Sequence, residues 1–278
     1  MTTNKRTPRL RQSRAGLRFG RITTALLLIV VSVAAIGCRP PTEPAMPTYA
    51  WTNDADAIRR IDERASAVRT VSSTCLITLT RPDGQSVALD GILLSEKPDR
   101  LRLQASKFGQ KLFDLTLNAD GLFVRIDDPS RKDKVVPASL SAGRFAQEWQ
   151  MFQGGFFRLP GLSVDGSGPK QFTARAQLSD GRRVVCDIDR DTLLPRRYRM
   201  FDPQNVERFT LSIPRYRLIN GVPYPDLMVA LSDQGTIQIS QREVELNVEL
   251  PPAAFKAPRG AEKVGVEPTS QPASQPVR

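Results

Sequence analysis

Thr74-Cys75-Leu76-Ile77-Thr78-Leu79-Thr80-Arg81-Pro82-Asp83-Gly84 sets the period for most of the chain. Cys75, Ile77 and Leu79 alternate with Leu76, Thr78 and Thr80, and the Arg81-Pro82-Asp83-Gly84 run supplies a turn. A side-chain period of two is that of a β-strand. Val87, Leu89 and Gly91 begin the return strand. After Lys97-Pro98-Asp99, residues Leu101, Leu103 and Ala105 alternate with Arg100, Arg102 and Gln104. Phe113, Leu115 and Leu117 follow, then an Asn118-Ala119-Asp120-Gly121 turn, then Leu122, Val124 and Ile126. Four or five antiparallel strands joined by short turns are expected.

Upstream the period is helical: Ile58, Ile61, Ala65 and Val68, with Thr52, Asn53 or Asp54 as cap. Downstream, Pro137 to Met151 reads as a second helix capped by Ser139 or Ser141. Phe145, Trp149 and Phe152 lie on one face, and Gly154-Gly155 ends it. Strands resume at Phe172–Leu178, Arg183–Ile188, Arg197–Phe201, Glu207–Ile213, Arg215–Ile219, Leu227–Leu231, Ile237–Ser240 and Val244–Val248. Long antiparallel runs with segregated helices make an α+β domain, not a βαβ fold.

Outside this region the composition changes. Met1 to Arg21 carry seven basic residues and no acidic one, and Ile22 to Gly37 is uncharged around Ala25-Leu26-Leu27-Leu28-Ile29-Val30-Val31. That is the layout of an export signal. A spanning helix needs about 20 apolar residues, more than this stretch offers, although an uncleaved anchor helix is the alternative. Ala35-Ile36-Gly37-Cys38 resembles the lipobox of bacterial lipoproteins, with Ala35 where Leu is commonest. The resemblance implies cleavage before Cys38 and lipid attachment to its sulfur. At about 0.8 kcal/mol per buried methylene, such an anchor is effectively permanent. Arg39 in place of Asp implies sorting to the outer membrane, facing the periplasm.

The expected organisation is a signal peptide over 1–37, a Pro-rich lipidated tether over 38–53, a folded domain over 54–257 and a structureless tail over 258–278. Removing the signal lowers the formal net charge from +11 to about +4, which withdraws the main support for nucleic-acid binding. Cys75 and Cys186 would face an oxidising compartment, so a disulfide and two buried thiols both stand as readings.

There is no histidine, which removes Ser-His and Cys-His pairs, histidine zinc sites and the commonest general base. Asp187, Asp189 and Asp191 lack the Gly and Glu of a calcium loop, with Thr192 and Tyr198 at those positions. They read as a strand's solvent face and its turn. Arg196, Arg197 and Arg199 read as a solvated strand face, with binding of acidic headgroups as the alternative. Neither an enzymatic site, nor a metal, nor a cofactor is expected.

The order of elements is similar to that of the lipoprotein-localisation factors LolA and LolB, across roughly Ala57 to Phe255. The best local segment runs from Pro98 to Leu115, and Leu159-Pro160-Gly161 after the second helix is another echo. The resemblance implies an incomplete antiparallel β-barrel of about eleven strands with helices across its open side. It also implies an apolar cavity for acyl chains or lipidated cargo proteins. Phe108, followed by Gly109, occupies the position of an apolar residue that protrudes from LolB and passes cargo into the membrane. LolB commonly has Leu there with a preceding Pro, where this chain has Phe108 and Lys107. A core residue at a strand end is the other reading of Phe108. The lipobox fits anchored LolB better than soluble LolA.

Candidate lining residues are Ile77, Leu79, Leu103, Leu115, Val124, Leu211 and Met228, with filling of an ordinary core as the alternative. The expected function is thus a membrane-anchored lipoprotein that holds acyl chains or lipidated proteins. A structural or regulatory envelope lipoprotein using the same scaffold to bind a protein partner is the competing one.

Overall fold

The computed structural model describes residues 45–127, 142–166 and 168–264. The alternation builds β1 (Thr70–Thr80), β2 (Ser86–Glu96), β3 (Arg100–Lys107), β4 (Gln110–Asn118) and β5 (Gly121–Ile126) in the first half. The second half contributes β6 (Ser163–Asp165), β7 (Gln171–Gln177), β8 (Arg183–Asp189), β9 (Pro195–Phe201), β10 (Glu207–Ile219), β11 (Val222–Ser232) and β12 (Gly235–Leu246). A two-residue β13 (Glu262–Lys263) follows. All join one sheet in the order β13-β5-β4-β3-β2-β1-β12-β11-β10-β9-β8-β7-β6. Two meanders therefore meet where β1 pairs with β12. The edge strands β6 and β13 do not pair with each other, so the sheet is open. Among the described residues, eleven principal strands and two helices make the α+β incomplete barrel that the sequence led us to expect.

Directly opposed residues of antiparallel strands share a face. Val124 opposes Leu115, which opposes Leu103, which opposes Leu93. Ile77 opposes Leu89 on one side and Ile239 on the other, and Ile239 opposes Met228. Ala230, Leu211, Tyr198, Cys186 and Ala174 continue the row. One apolar face thus crosses the whole sheet.

Helices α1 (Asp54–Ala67) and α2 (Ala142–Phe152) cover that face. The Asn53 side chain accepts the Asp56 amide proton at 2.9 Å and caps α1, whose Ala57 and Ile61 are buried. Helix α2 spans both halves. Phe145, Ala146 and Trp149 pack on the β2–β5 cluster, and Met151 and Phe152 on the larger β7–β11 cluster with Phe156, Phe157 and Phe172. Each such side chain contributes roughly 1.5–3 kcal/mol on burial. Gly154 ends α2 with φ 103, and a Cβ there would lie 2.4 Å from the Cβ of Ala65. Only glycine allows the two helices to approach so closely.

Several expectations are corrected. Arg215–Ile219 is no separate strand: β10 runs through Pro214 with register shifts between Ser212 and Tyr216, which absorb the missing donor. The two last strands are likewise one, β12, bulged opposite Thr74 and Cys75. Part of the expected tether is packed. Met46, Tyr49 and Trp51 lie against the core, and the Trp51 Nε1 donates to the Arg190 carbonyl at 3.1 Å. Aromatic burial outweighs the proline content there. Within the expected tail, Glu262 and Lys263 pair with β5 and take up its open edge.

Cys75 and Cys186 are free, buried thiols on strands separated by four others, so the bridge is excluded. Asp187 is buried, not solvated, and accepts from Arg197 at 3.0 Å and Arg199 at 3.1 Å. That pairing also accounts for two of the three arginines of the basic cluster, and Arg196 lies 3.5 Å from Asp189. The signal segment, Cys38, Arg39, the proposed caps Ser139 and Ser141, and residues 265–278 lie outside the described residues.

Candidate functional site

Between the covered face and the helices the packing leaves a cavity of about 170 Å³. Helix α1 and its exit contribute Ile61, Ala65 and Val68; α2 and its exit contribute Trp149, Phe152 and Phe157. The floor is Val71 and Leu93 from the first meander and Tyr198, Leu211, Ile213 and Met228 from the second. The cavity sits over the seam between the meanders, where side chains of both meanders and of two helices must all meet. For comparison, an apolar cavity of about 150 Å³ takes up benzene and stays dry.

All seven candidate lining residues stand on the covered face, and two of them, Leu211 and Met228, line this cavity. Leu103, Leu115 and Val124 pack under α2, and Ile77 and Leu79 lie in a third cluster with Leu89 and Ala105. Sequence reasoning did not assign the aromatic walls, Trp149, Phe152, Tyr198, Tyr216 and Tyr224. The Phe145-Trp149-Phe152 spacing was the available signal, because it showed which face of α2 turns inward.

Polar ties reach both helices: on α2, Glu148 accepts from the buried Arg182 at 2.5 Å. Arg64 of α1 donates to the carbonyls of Thr192, at 3.0 Å, and Leu193. Arg158 donates to Asp62 at 2.6 Å, an exposed pair worth about 0.2–1 kcal/mol. Lys97 lines the cavity and its Nζ donates to the Ala65 carbonyl. Burial, then the charge of Arg158, pulls the Lys97 ammonium down to about 8, against the opposing pull of Asp62.

Neither Cys75 nor Cys186 is an activated thiol. Burial pushes the Cys75 thiol up to about 11 and the Cys186 thiol well above its ordinary value. Among the described residues no group of three His, Cys, Asp or Glu side chains could hold a metal ion.

A second feature stands at the far end of β3. Lys107 and Gln110 pair across a two-residue turn, Phe108-Gly109, with φ 52 and φ 76. Left-handed backbone at both central positions belongs to a type I′ hairpin, which favours Asn-Gly. Phe108 is 95% exposed, and only Lys107 Nζ, 5.5 Å from its ring centre, lies over it.

No protein-family model and no curated protein matches the sequence. Solved structures do match the fold. A LolA superfamily protein from Nitrosomonas europaea is 12% identical, with a TM-score of 0.51 over 72% of this chain and 97% of that one. The fold is LolA-like. A domain described as an outer membrane lipoprotein-sorting protein, from Vibrio parahaemolyticus, is 13% identical, with a TM-score of 0.50 over 73% of this chain and 97% of that one. In this LolA-like fold the cavity lies where the helices close the open sheet.

Proposed function

We propose that the chain is a lipid-anchored envelope protein that carries acyl chains, free or attached to lipidated proteins, in the cavity between α1, α2 and the sheet. The observation that carries the reading is the apolar cavity, walled on one side by the two helices and floored by the sheet. A guest longer than a benzene-sized one displaces α1 and α2 from the sheet, which keeps its hydrogen-bonded ladder intact. Lipid on Cys38 anchors the protein to the outer membrane, facing the periplasm, and the role is LolB-like and non-enzymatic. Phe108 and Gly109 form the tip that touches the membrane when cargo is handed over.

The test uses the full-length chain with Cys38→Ala, a fluorescent fatty acid and an acylated peptide. Saturable binding that Leu211→Trp and Met228→Trp abolish, without loss of the folding transition, is expected. Absence of binding to both probes removes the carrier reading. Recovery of one stoichiometric envelope protein without lipid would then favour the partner-binding alternative. Incorporation of labelled palmitate into the wild type, but not into Cys38→Ala, checks the anchor.

A further inference from the structure

The charged side chains that line the cavity are Arg64, Arg69 and Lys97, and no Asp or Glu lines it. Several arginines elsewhere on the sheet do have a carboxylate partner. Arg102 is neutralised by Asp114, Arg197 and Arg199 by Asp187, and Arg215 and Arg217 by Asp226. The three cavity cations take part in no ion pair among the described residues. The donors of Arg64 go to main-chain carbonyls, and the Lys97 ammonium meets only the Ala65 carbonyl. Asp62, the carboxylate whose charge Lys97 feels, is bound to Arg158.

A second observation comes from α2 and its exit. The Trp149 Nε1 and the Gln153 Oε1 are buried without a hydrogen-bond partner, and both residues line the same cavity. Buried polar groups in native proteins are ordinarily paired. An indole N–H can only donate, so it requires an oxygen acceptor. Arg69 is exposed and Arg64 also stacks over Tyr49, so Lys97 is the cation left without a counter-charge in the site. Apolar walls call for a hydrocarbon chain, but this ammonium and the orphan indole donor call for something a hydrocarbon lacks.

We propose that the cavity selects amphiphiles with an anionic, oxygen-rich head, the head facing Lys97 and the chain lying against Leu211, Met228 and Phe152. This rests on the carrier reading and narrows it: the guest is a fatty carboxylate or an alkyl phosphate, in preference to a neutral chain. An ammonium that keeps two donors free can give charge-assisted hydrogen bonds to such a head.

The experiment measures displacement of a fluorescent probe from the full-length Cys38→Ala chain at pH 7. Competitors are laurate, dodecyl phosphate and dodecanol, with acetate and inorganic phosphate as heads without chains. Laurate and dodecyl phosphate should bind about tenfold more tightly than dodecanol, the effect of one charge-assisted hydrogen bond. Their ranking against each other separates a fatty acid from a phosphate headgroup. Acetate and phosphate should not compete. Lys97→Met should bring all three chains to the affinity of dodecanol, and Lys97→Arg should keep the preference. Equal binding of laurate and dodecanol by the wild type overturns the head-group preference and leaves the carrier reading standing. Equal weakening of all three chains by Lys97→Met does the same. Failure of every chain to bind overturns both. The wild-type ranking and the Lys97→Arg variant decide the matter even where Lys97→Met does not fold.

Discussion

Two hairpins of this sheet share a backbone and differ in one side chain. Asn220-Gly221 joins β10 to β11 with φ 50 and φ 79, and Phe108-Gly109 joins β3 to β4 with φ 52 and φ 76. Asn is the residue such a turn favours, because its short polar side chain tolerates the left-handed region. Phe does not, and a bulky residue held there costs of order 1–3 kcal/mol. Nor is Phe108 compensated by packing, being almost wholly exposed. The first hairpin is therefore built for folding, and the second gives up stability for a solvent-facing ring. Such a departure from local preference is the usual mark of a functional position.

The comparison can be broken at either turn. The largest effect expected is on membranes: Phe108→Asn in the Cys38→Ala chain should lower sedimentation with phospholipid vesicles about tenfold, as loss of one buried aromatic ring implies. Asn220→Ala should leave it unchanged, and equal losses from both would remove the distinction. Next, Asn220→Phe should destabilise the domain by about 1–2 kcal/mol in denaturant unfolding, by importing the strain that Phe108 bears. Phe108→Asn should do the reverse and stabilise it by about 0.5–1 kcal/mol. The smallest effect extends the contrast to Lys97, a second residue ill suited to the folded state. Its ammonium is disfavoured by folding, because its folded value of about 8 lies below the ordinary 10.5. The penalty is complete below about 8 and disappears as pH rises through 10.5, where the unfolded chain also loses the proton. Lys97→Met should thus melt about 2 °C above the wild type at pH 7. The gap should narrow between pH 8 and 10.5.

Alternation along Cys75-Ile77-Leu79 and Leu101-Leu103-Ala105 was sufficient to read the first meander, since most strands there have one largely polar and one apolar side. Strands β10 and β12 were harder. Pro214 and the bulge beside Cys75 interrupt the period locally, and only pairing with β11 and β1 carries the strand across. The burial of Asp187 was invisible because its arginines come from the next strand, β9, and depend on register. A cavity was expected from the resemblance alone, and which residues wall it could not be read from the local pattern. Leu211 and Leu115 have the same character in sequence, yet one lines the gap and the other fills a core. The difference lies in how two distant meanders and two helices fit together, which no local pattern encodes.

The middle of the sheet is where the earliest and latest long strands touch: Ile77 lies against Ile239. While the chain is being made, β1 has a bare edge until almost everything after it has emerged. Contacts so remote in sequence form slowly. For a chain exported as we propose, threading a translocation pore as an extended string, this arrangement would hold the final closure back until the carboxy-terminal strands have crossed.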